Sequence, residues 1–564
     1  MRDQIMTRST VAREEIAAQT QGLSTAYILP QEIWLEVMRV LADQLDTNSL
    51  YVCSQVSRGL ASLALPLLYS IHHNSPAGLS VIGFVKGSMI LWRSIIASAS
   101  GATFLPYCTF IKALNLSNLL NILDDVPRYP QQYKKYFQDV FFAPPLQDLK
   151  IRRGRAVDFS DATIVAAADR IIDKLRTAAH DEDKDIGITS LEGPYLPTAN
   201  LINWVSVLSR LKSLAVRDGS VLNRDVGLAI RENCPGFNEI TCYFCDGTDV
   251  DMEMAGCIGS LNPNTLESFT ITSKNELGQE TFQALGQHAV SLTRLSVRDI
   301  GHPGLNSLHL IGPCPQLQAL TLESDRVIRR SRWASYEETI SWLEQSVNLV
   351  DVRLNIADGP QFLAAVLEQS KISLLSLNIE VTGDADALYL ELSRQTKIQT
   401  LTIRSSRDED DEDMVGTETI QLLVVALSKM EQLRQLILSE PLTAEGFACA
   451  KCDTLERVSL NAYGMDEAYL QLLCTLPRLK FLHIMSSTAF TYWQLLAFVQ
   501  TLRDDAQGDH GGFHLALDGQ LWEYRFSPVD EATIRDTIRE AFGGGFEVLV
   551  QGDPDELHES DFSD

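Results

Sequence analysis

The chain has 564 residues, a net charge of −27 and a pI near 4.8, with 45% hydrophobic and 21% charged residues. That length exceeds what a single core needs, so several domains or a repeat array are expected. The negative field repels phosphate backbones and anionic lipid heads, which argues against nucleic-acid or membrane-surface binding as a main role.

Residues 1–27 mix Arg2, Asp3, Arg8, Arg13, Glu14 and Glu15 without a continuous apolar core. No secretory leader is expected there, and the stretch reads as a disordered or helical extension. Residues 28–72 then read as helical. Leu29-Pro30-Gln31-Glu32-Ile33 opens a helix, with Pro at its first position and Glu complementing the dipole. Ile33, Val37, Val40 and Leu41 are expected on one face. The polar break Asp46-Thr47-Asn48 precedes a second apolar series at Leu50, Cys53 and Val56. Ser57-Arg58, Ala61, Ala64 and Pro66-Leu67-Leu68-Tyr69 follow.

This order of pieces resembles an F-box, and the Pro-Leu-Leu-Tyr ending is similar to fungal members. The resemblance implies a small all-α module that docks on the Skp-type adaptor of a cullin-RING ubiquitin ligase. The positions matching the docking residues are Leu29, Pro30, Ile33, Val37, Leu50 and Val56. The same residues also suit a plain helical cap, because an open repeat array needs its first repeat shielded.

Residues 73–104 read as a helical connector. Their apolar run from Leu79 to Ala97 is interrupted by Lys86 and Arg93, as in a buried helix rather than a membrane span. From about residue 105 the pattern apolar-x-x-apolar-x-apolar recurs thirteen times, beginning at Ile111-Leu114-Leu116 and Leu146-Leu149-Ile151. From Leu211 to Leu479 the steps are 26, 29, 26, 25, 32, 25, 24, 35, 22 and 24 residues. Segments with helical spacing lie between the matches, such as Phe362 to Leu367 and Ile420 to Leu427. Residues 155–200 fit poorly, although Ile188 and Leu191 suit one divergent repeat. The pattern resembles the leucine-rich-repeat family over residues 105–500. The resemblance implies an α/β solenoid, with parallel strands on the concave face and helices on the convex face. Residues 501–552 hold two strand-like runs around a helical Thr533 to Phe542 and read as a capping unit; the acidic tail 553–564 reads as disordered.

A partner of such an array meets the residues that alternate with the core positions, and these are mostly small or polar. Arg152, Arg217, Arg298 and Arg404 share the last such position of their strands, joined by Arg294 and Arg353. They form either an arginine group suited to a carboxylate-rich or phosphorylated segment, or scattered surface charges. Phe481, His483 and Met485, with Ile437 and Arg457 nearby, form a candidate hot spot unless the carboxy-terminal unit covers them. The target-binding candidates are therefore Arg294, Arg298, Arg353, Arg404, Arg457, Phe481, His483 and Met485.

No G-x-S-x-G, H-E-x-x-H or P-loop motif occurs, so no catalytic residue is assigned and a hydrolase is disfavoured. Cys242/Cys245 and Cys449/Cys452 are too far apart in an elongated array to share a zinc ion and read as core thiols. No metal or other cofactor is expected. Ten cysteines are too sparse for a disulfide scaffold and suit the reducing cytoplasm or nucleus. The acidic run Asp408 to Asp413 reads as a solvated loop or as a dock for a basic partner. The function these readings support is a non-catalytic substrate receptor of a Skp–cullin–F-box ubiquitin ligase. The alternative is a repeat scaffold unconnected with ubiquitin.

Overall fold

A computed structural model of the chain describes residues 29–74, 82–124, 161–182, 186–194, 196–324, 330–405, 417–439, 444–449, 453–461, 467–485, 490–504, 508–518 and 527–549. The chain divides into two compact units, Met1–Val216 with Glu232–Phe237, and Arg217–Arg231 with Asn238–Asp564. The expected strand at Leu146 to Ile151, Arg152, the acidic run at 408–413, Cys452 and the two terminal stretches lie outside the described residues.

The first unit opens with three helices, α1 (Gln31–Asp43), α2 (Thr47–Val56) and α3 (Arg58–Ser70). Pro30 stands at the N-cap of α1, just before the first helical residue. Asp46 caps α2 by accepting the Ser49 N–H at 2.9 Å, and Ser57 caps α3 by accepting the Leu60 N–H at 3.2 Å. Hydrogen bonding with Ser49 holds the Asp46 carboxyl below the ordinary carboxylate range. The inner faces of the three helices meet in a core of Met38, Ala42, Leu50, Ala64 and Leu68.

Helix α4 (Ile82–Ala99) adds Leu91 to that core. Its Trp92 Nε1 donates to Asn118 Oδ1 at 2.9 Å on α5 (Leu116–Asp124). The apolar run read as a buried helix thus packs within this unit through Leu91 and Trp92. Helices α6 (Asp161–Glu182) and α7 (Thr198–Val205) follow. Strands β1 (Ala113–Asn115), β2 (Ser190–Gly193) and β3 (Ser213–Asp218) pair in parallel, in chain order. β2 is the divergent repeat at Ile188 and Leu191, both fully buried.

The second unit alternates helix and strand in chain order. Its first part is α8 (Arg224–Asn233), β4 (Glu239–Cys245), α9 (Val250–Ser260), β5 (Ser268–Asn275), α10 (Gln279–Leu285), β6 (Arg294–Val297), α11 (His302–Leu305) and β7 (Ala319–Glu323). Next come α12 (Tyr336–Leu343), β8 (Asp351–Asn355), α13 (Gly359–Gln369), β9 (Ser376–Val381), α14 (Asp386–Leu392), β10 (Thr400–Ser405), α15 (Thr417–Ser428) and β11 (Gln435–Leu438). It ends with α16 (Ala444–Cys449), β12 (Arg457–Asn461), α17 (Glu467–Leu473), β13 (Phe481–Met485), α18 (Tyr492–Asp504), β14 (His514–Asp518), α19 (Pro528–Phe542) and β15 (Gly545–Leu549). Every strand from β4 to β15 pairs in parallel with the next. The two strand-like runs of the expected capping unit are β14 and β15, which continue the same ladder.

The register explains why the triplet pattern recurs. Leu377, Leu401, Leu436, Val458, Leu482 and Leu515 stand directly opposite one another on consecutive strands, and all are fully buried. One repeat has no second layer to cover such a side chain; the repeats on either side supply it, at about 1.5–3 kcal/mol per buried side chain. Helices cover one face of the strands, and the alternating polar positions leave the other face to solvent.

Buried polar side chains complete the backbone bonding between repeats. Gln395 accepts the Leu374 N–H at 3.0 Å and donates to the Ile372 carbonyl at 3.2 Å. His288 accepts the Leu266 N–H on Nδ1 at 3.3 Å, which leaves Nε2–H for the Ile258 carbonyl at 3.3 Å. Burial holds the His288 imidazole below its ordinary pKa, so it is the neutral form that makes both bonds. The fold is α/β, a leucine-rich-repeat array preceded in sequence by a helical module. No helix among the described residues is long and apolar enough to cross a membrane.

Candidate protein-interaction surfaces

The helical module has apolar side chains on two sides of its helices. On α1, Met38 and Ala42 point into the core with Trp34 and Leu41 against them, whereas Ile33, Val37 and Val40 are 48%, 41% and 47% exposed. Leu41, expected to share the face of Ile33 and Val37, thus belongs to the inner side. On α2, Leu50 is fully buried and Cys53 packs beside it, while Tyr51, Val52 and Val56 are exposed. Leu29 and Pro30 are exposed as well. A single exposed apolar residue is ordinary on a protein surface; here several are exposed along two short helices.

Leu29, Pro30, Ile33, Val37 and Val56 are therefore accessible to a partner. Leu50 departs from the expectation. It is fully buried in the module's core with Met38, Ala42, Ala64 and Leu68. Tyr51 and Val52 are accessible residues that the sequence reading missed. They share the apolar series of α2, but the resemblance picks out only Leu50 and Val56 there.

The second surface is the solvent face of the strands in the second unit. Arg294 and Arg298 lie on and just beyond β6, and Arg353 lies on β8. Glu323 at the end of β7 sits between them, 3.3 Å from Arg298 Nε and 3.8 Å from Arg353 Nη1. Two of the expected arginines are thus already neutralised in part by one carboxylate. Arg404, on β10, is opposite Glu380 in the ladder. Arg217 is exposed at the end of β3. The arginines consequently form one local group at β6–β8, with Arg404 and Arg457 standing apart along the strands.

Toward the carboxy-terminal end the surface changes character. The Arg457 guanidinium lies 4.4 Å from the centroid of the Phe481 ring. On its other side Phe481 stacks against His514, with centroids 5.7 Å apart and planes at 4°. Register places these three side by side on β12, β13 and β14. His514 Nε2 is 3.7 Å from the Glu547 carboxylate on β15. Beside this row runs a lower one of Ser459, His483 and Ala516, in which Ser459 and Ala516 are 6% and 4% exposed. Ser459 Oγ is 3.0 Å from His483 Nδ1. Ile437 and Met485 are half-buried at its margins. β14 and β15 extend the sheet sideways, leaving Phe481 half-exposed. His514 was missed because its strand was read only as a cap; its outward position between Phe513 and Leu515 was the available signal.

Cys242, Cys245 and Cys257 are buried thiols. The hydrogen bond with Cys245, and then burial, hold the Cys242 thiol well above its ordinary range, and burial pushes Cys257 up to about 12. Among the described residues no group of three or more His, Cys, Asp or Glu side chains is arranged to hold a metal ion.

No protein-family model matches the chain, and no curated protein matches it. Among solved structures, it is similar to one titled as the crystal structure of the Rad7 and Elc1 complex in yeast. The identity is 17%, over 57% of this chain and 83% of that one, with a TM-score of 0.37. That likeness is too distant to transfer a function.

Proposed function

We propose that this chain is the substrate-recognition subunit of a Skp–cullin–F-box ubiquitin ligase. The helical module binds the Skp-type adaptor and the strand face of the repeats binds a target protein. The observation that carries this reading is the outward apolar face of α1 and α2, in a segment whose sequence resembles an F-box. Leu29, Pro30, Ile33, Val37 and Val56 make the adaptor contact. The chain does no covalent chemistry; it raises the effective concentration of a target lysine beside a conjugating enzyme. The described cysteines are free thiols, consistent with work in the cytoplasm or nucleus.

The test is a pull-down of the purified full chain with a Skp-type adaptor, beside a chain lacking residues 28–70 and the double variant Ile33→Asp/Val37→Asp. Stoichiometric binding by the full chain, lost in both others, is expected. Binding retained by the folded double variant excludes this docking face.

A second reading has one observation in its favour. Tyr69 at the end of α3 stacks on Tyr107 at 4.7 Å, just before β1, as a cap over the first repeat requires. A folded full chain that binds no Skp-type adaptor supports that scaffold reading.

A further inference from the structure

The strand face between β12 and β15 has a directional chemistry that specifies a kind of target. The taller row, Arg457, Phe481 and His514, is braced by stacking, so its side chains stand up from the sheet with little rotational freedom left to lose on binding. The neighbouring row is low at Ser459 and Ala516. With His483 half-buried between Ser459 and Ala516, 6.5 Å from the Phe481 ring, the two rows form a step that crosses the strands beside the Phe481 and His514 rings. The two ends differ in charge. Arg457 is exposed and has no ion-pair partner among the described residues, whereas Glu547 is exposed at the β15 end.

We infer that this step binds an extended peptide segment of the target that carries a carboxylate two residues from a bulky apolar side chain. The carboxylate meets Arg457 and the apolar side chain packs on Phe481 over Ala516. Three strand spacings and a two-residue offset along the strand separate Arg457 from Glu547, about 16 Å. An extended peptide covers that in about four or five residues, so a neutral or basic residue faces Glu547 at that distance from the acid. Electrostatics favour the acid at Arg457, an exposed guanidinium with no ion-pair partner among the described residues, because a carboxylate on the partner segment complements it. The inference rests on the strand face being the target-binding surface, and it does not require that the module bind an adaptor.

The experiment is selection of random dodecapeptides displayed on phage against the purified full chain, in parallel with Arg457→Glu. Enriched peptides on the native chain should share an acidic residue two positions from Leu, Ile, Met or an aromatic residue. Arg457→Glu should replace that acid by Lys or Arg in its own enriched set. A synthetic copy of one native-selected peptide should lose roughly tenfold or more in affinity with Phe481→Ala, and keep its affinity with Arg294→Ala, at the other arginine group. Thermal melting confirms that each variant is folded. Enrichment of apolar peptides without an acid points to a different occupant and overturns the inference. So does an unchanged selection by Arg457→Glu, or no enrichment at all. The adaptor pull-down is read separately, so failure of one reading leaves the other standing.

Discussion

Asp251 caps a helix that is not its own: from α9 its Oδ1 accepts the Thr281 N–H of α10 at 3.0 Å, and the Thr281 hydroxyl donates to the Asp251 carbonyl at 3.1 Å. The same carboxylate accepts the N–H groups of Gly278 at 2.8 Å and Glu280 at 3.2 Å. An N-terminal capping function that usually comes from the preceding residue is here supplied by the neighbouring repeat. Each such bond fixes one repeat on the next. Asp251→Ala is expected to cost about 1–2 kcal/mol, typical of a lost N-cap. Urea unfolding followed by circular dichroism measures it, and an unchanged midpoint contradicts the role.

The helical module separates inner from outer apolar residues, and two variants read the difference. Leu50→Ala empties a fully buried site and is expected to cost about 2–5 kcal/mol, lowering the melting temperature of the first unit. Val56→Asp changes an exposed side chain and is expected to leave stability within about 0.5 kcal/mol. Calorimetry of the two proteins distinguishes these outcomes.

Gly227 on α8 lies against the next helix so closely that a Cβ would stand 2.2 Å from the Cys257 carbonyl oxygen. The obstacle is backbone, which a rotamer change does not relieve. Gly227→Ala is therefore expected to destabilise the second unit by about 1–3 kcal/mol, although alanine is the better helix former. Hydrogen exchange should show faster opening of α8 and α9 in the variant.

His72 gives the first unit a pH dependence. Burial pushes its imidazole down to about 4, and its Nδ1–H donates to the Tyr69 carbonyl at 2.8 Å. The unfolded chain takes up this proton near pH 6.5 and the folded one only near pH 4. The contribution is thus complete above about pH 6.5 and is lost as the pH falls toward 4, on the order of 3 kcal/mol in all. His72→Phe should show a smaller loss of stability than the native chain between pH 7 and pH 5.5. Equal losses in denaturant titrations at the two pH values would contradict this account.

The sequence by itself determined the repeat and its faces. The core triplets recur because each repeat buries the same positions against its neighbours. The alternating small and polar residues, such as Thr400 and Thr402, follow from strand geometry. The order of pieces in residues 29–70 likewise pointed to the three helices α1, α2 and α3. Tertiary structure decided what a local pattern leaves open. Leu50 and Val56 belong to one apolar series, and only the packing of α1 and α3 puts the first inside and the second outside. Glu323 neutralises Arg298 and Arg353 because β7 lies between their strands. His514 completes the Arg457 and Phe481 stack because three successive repeats bring one register position side by side. Hydrophobic periodicity states which residues avoid water, but pairwise contacts across the strands depend on register and side-chain direction, which exist only once the repeats have stacked.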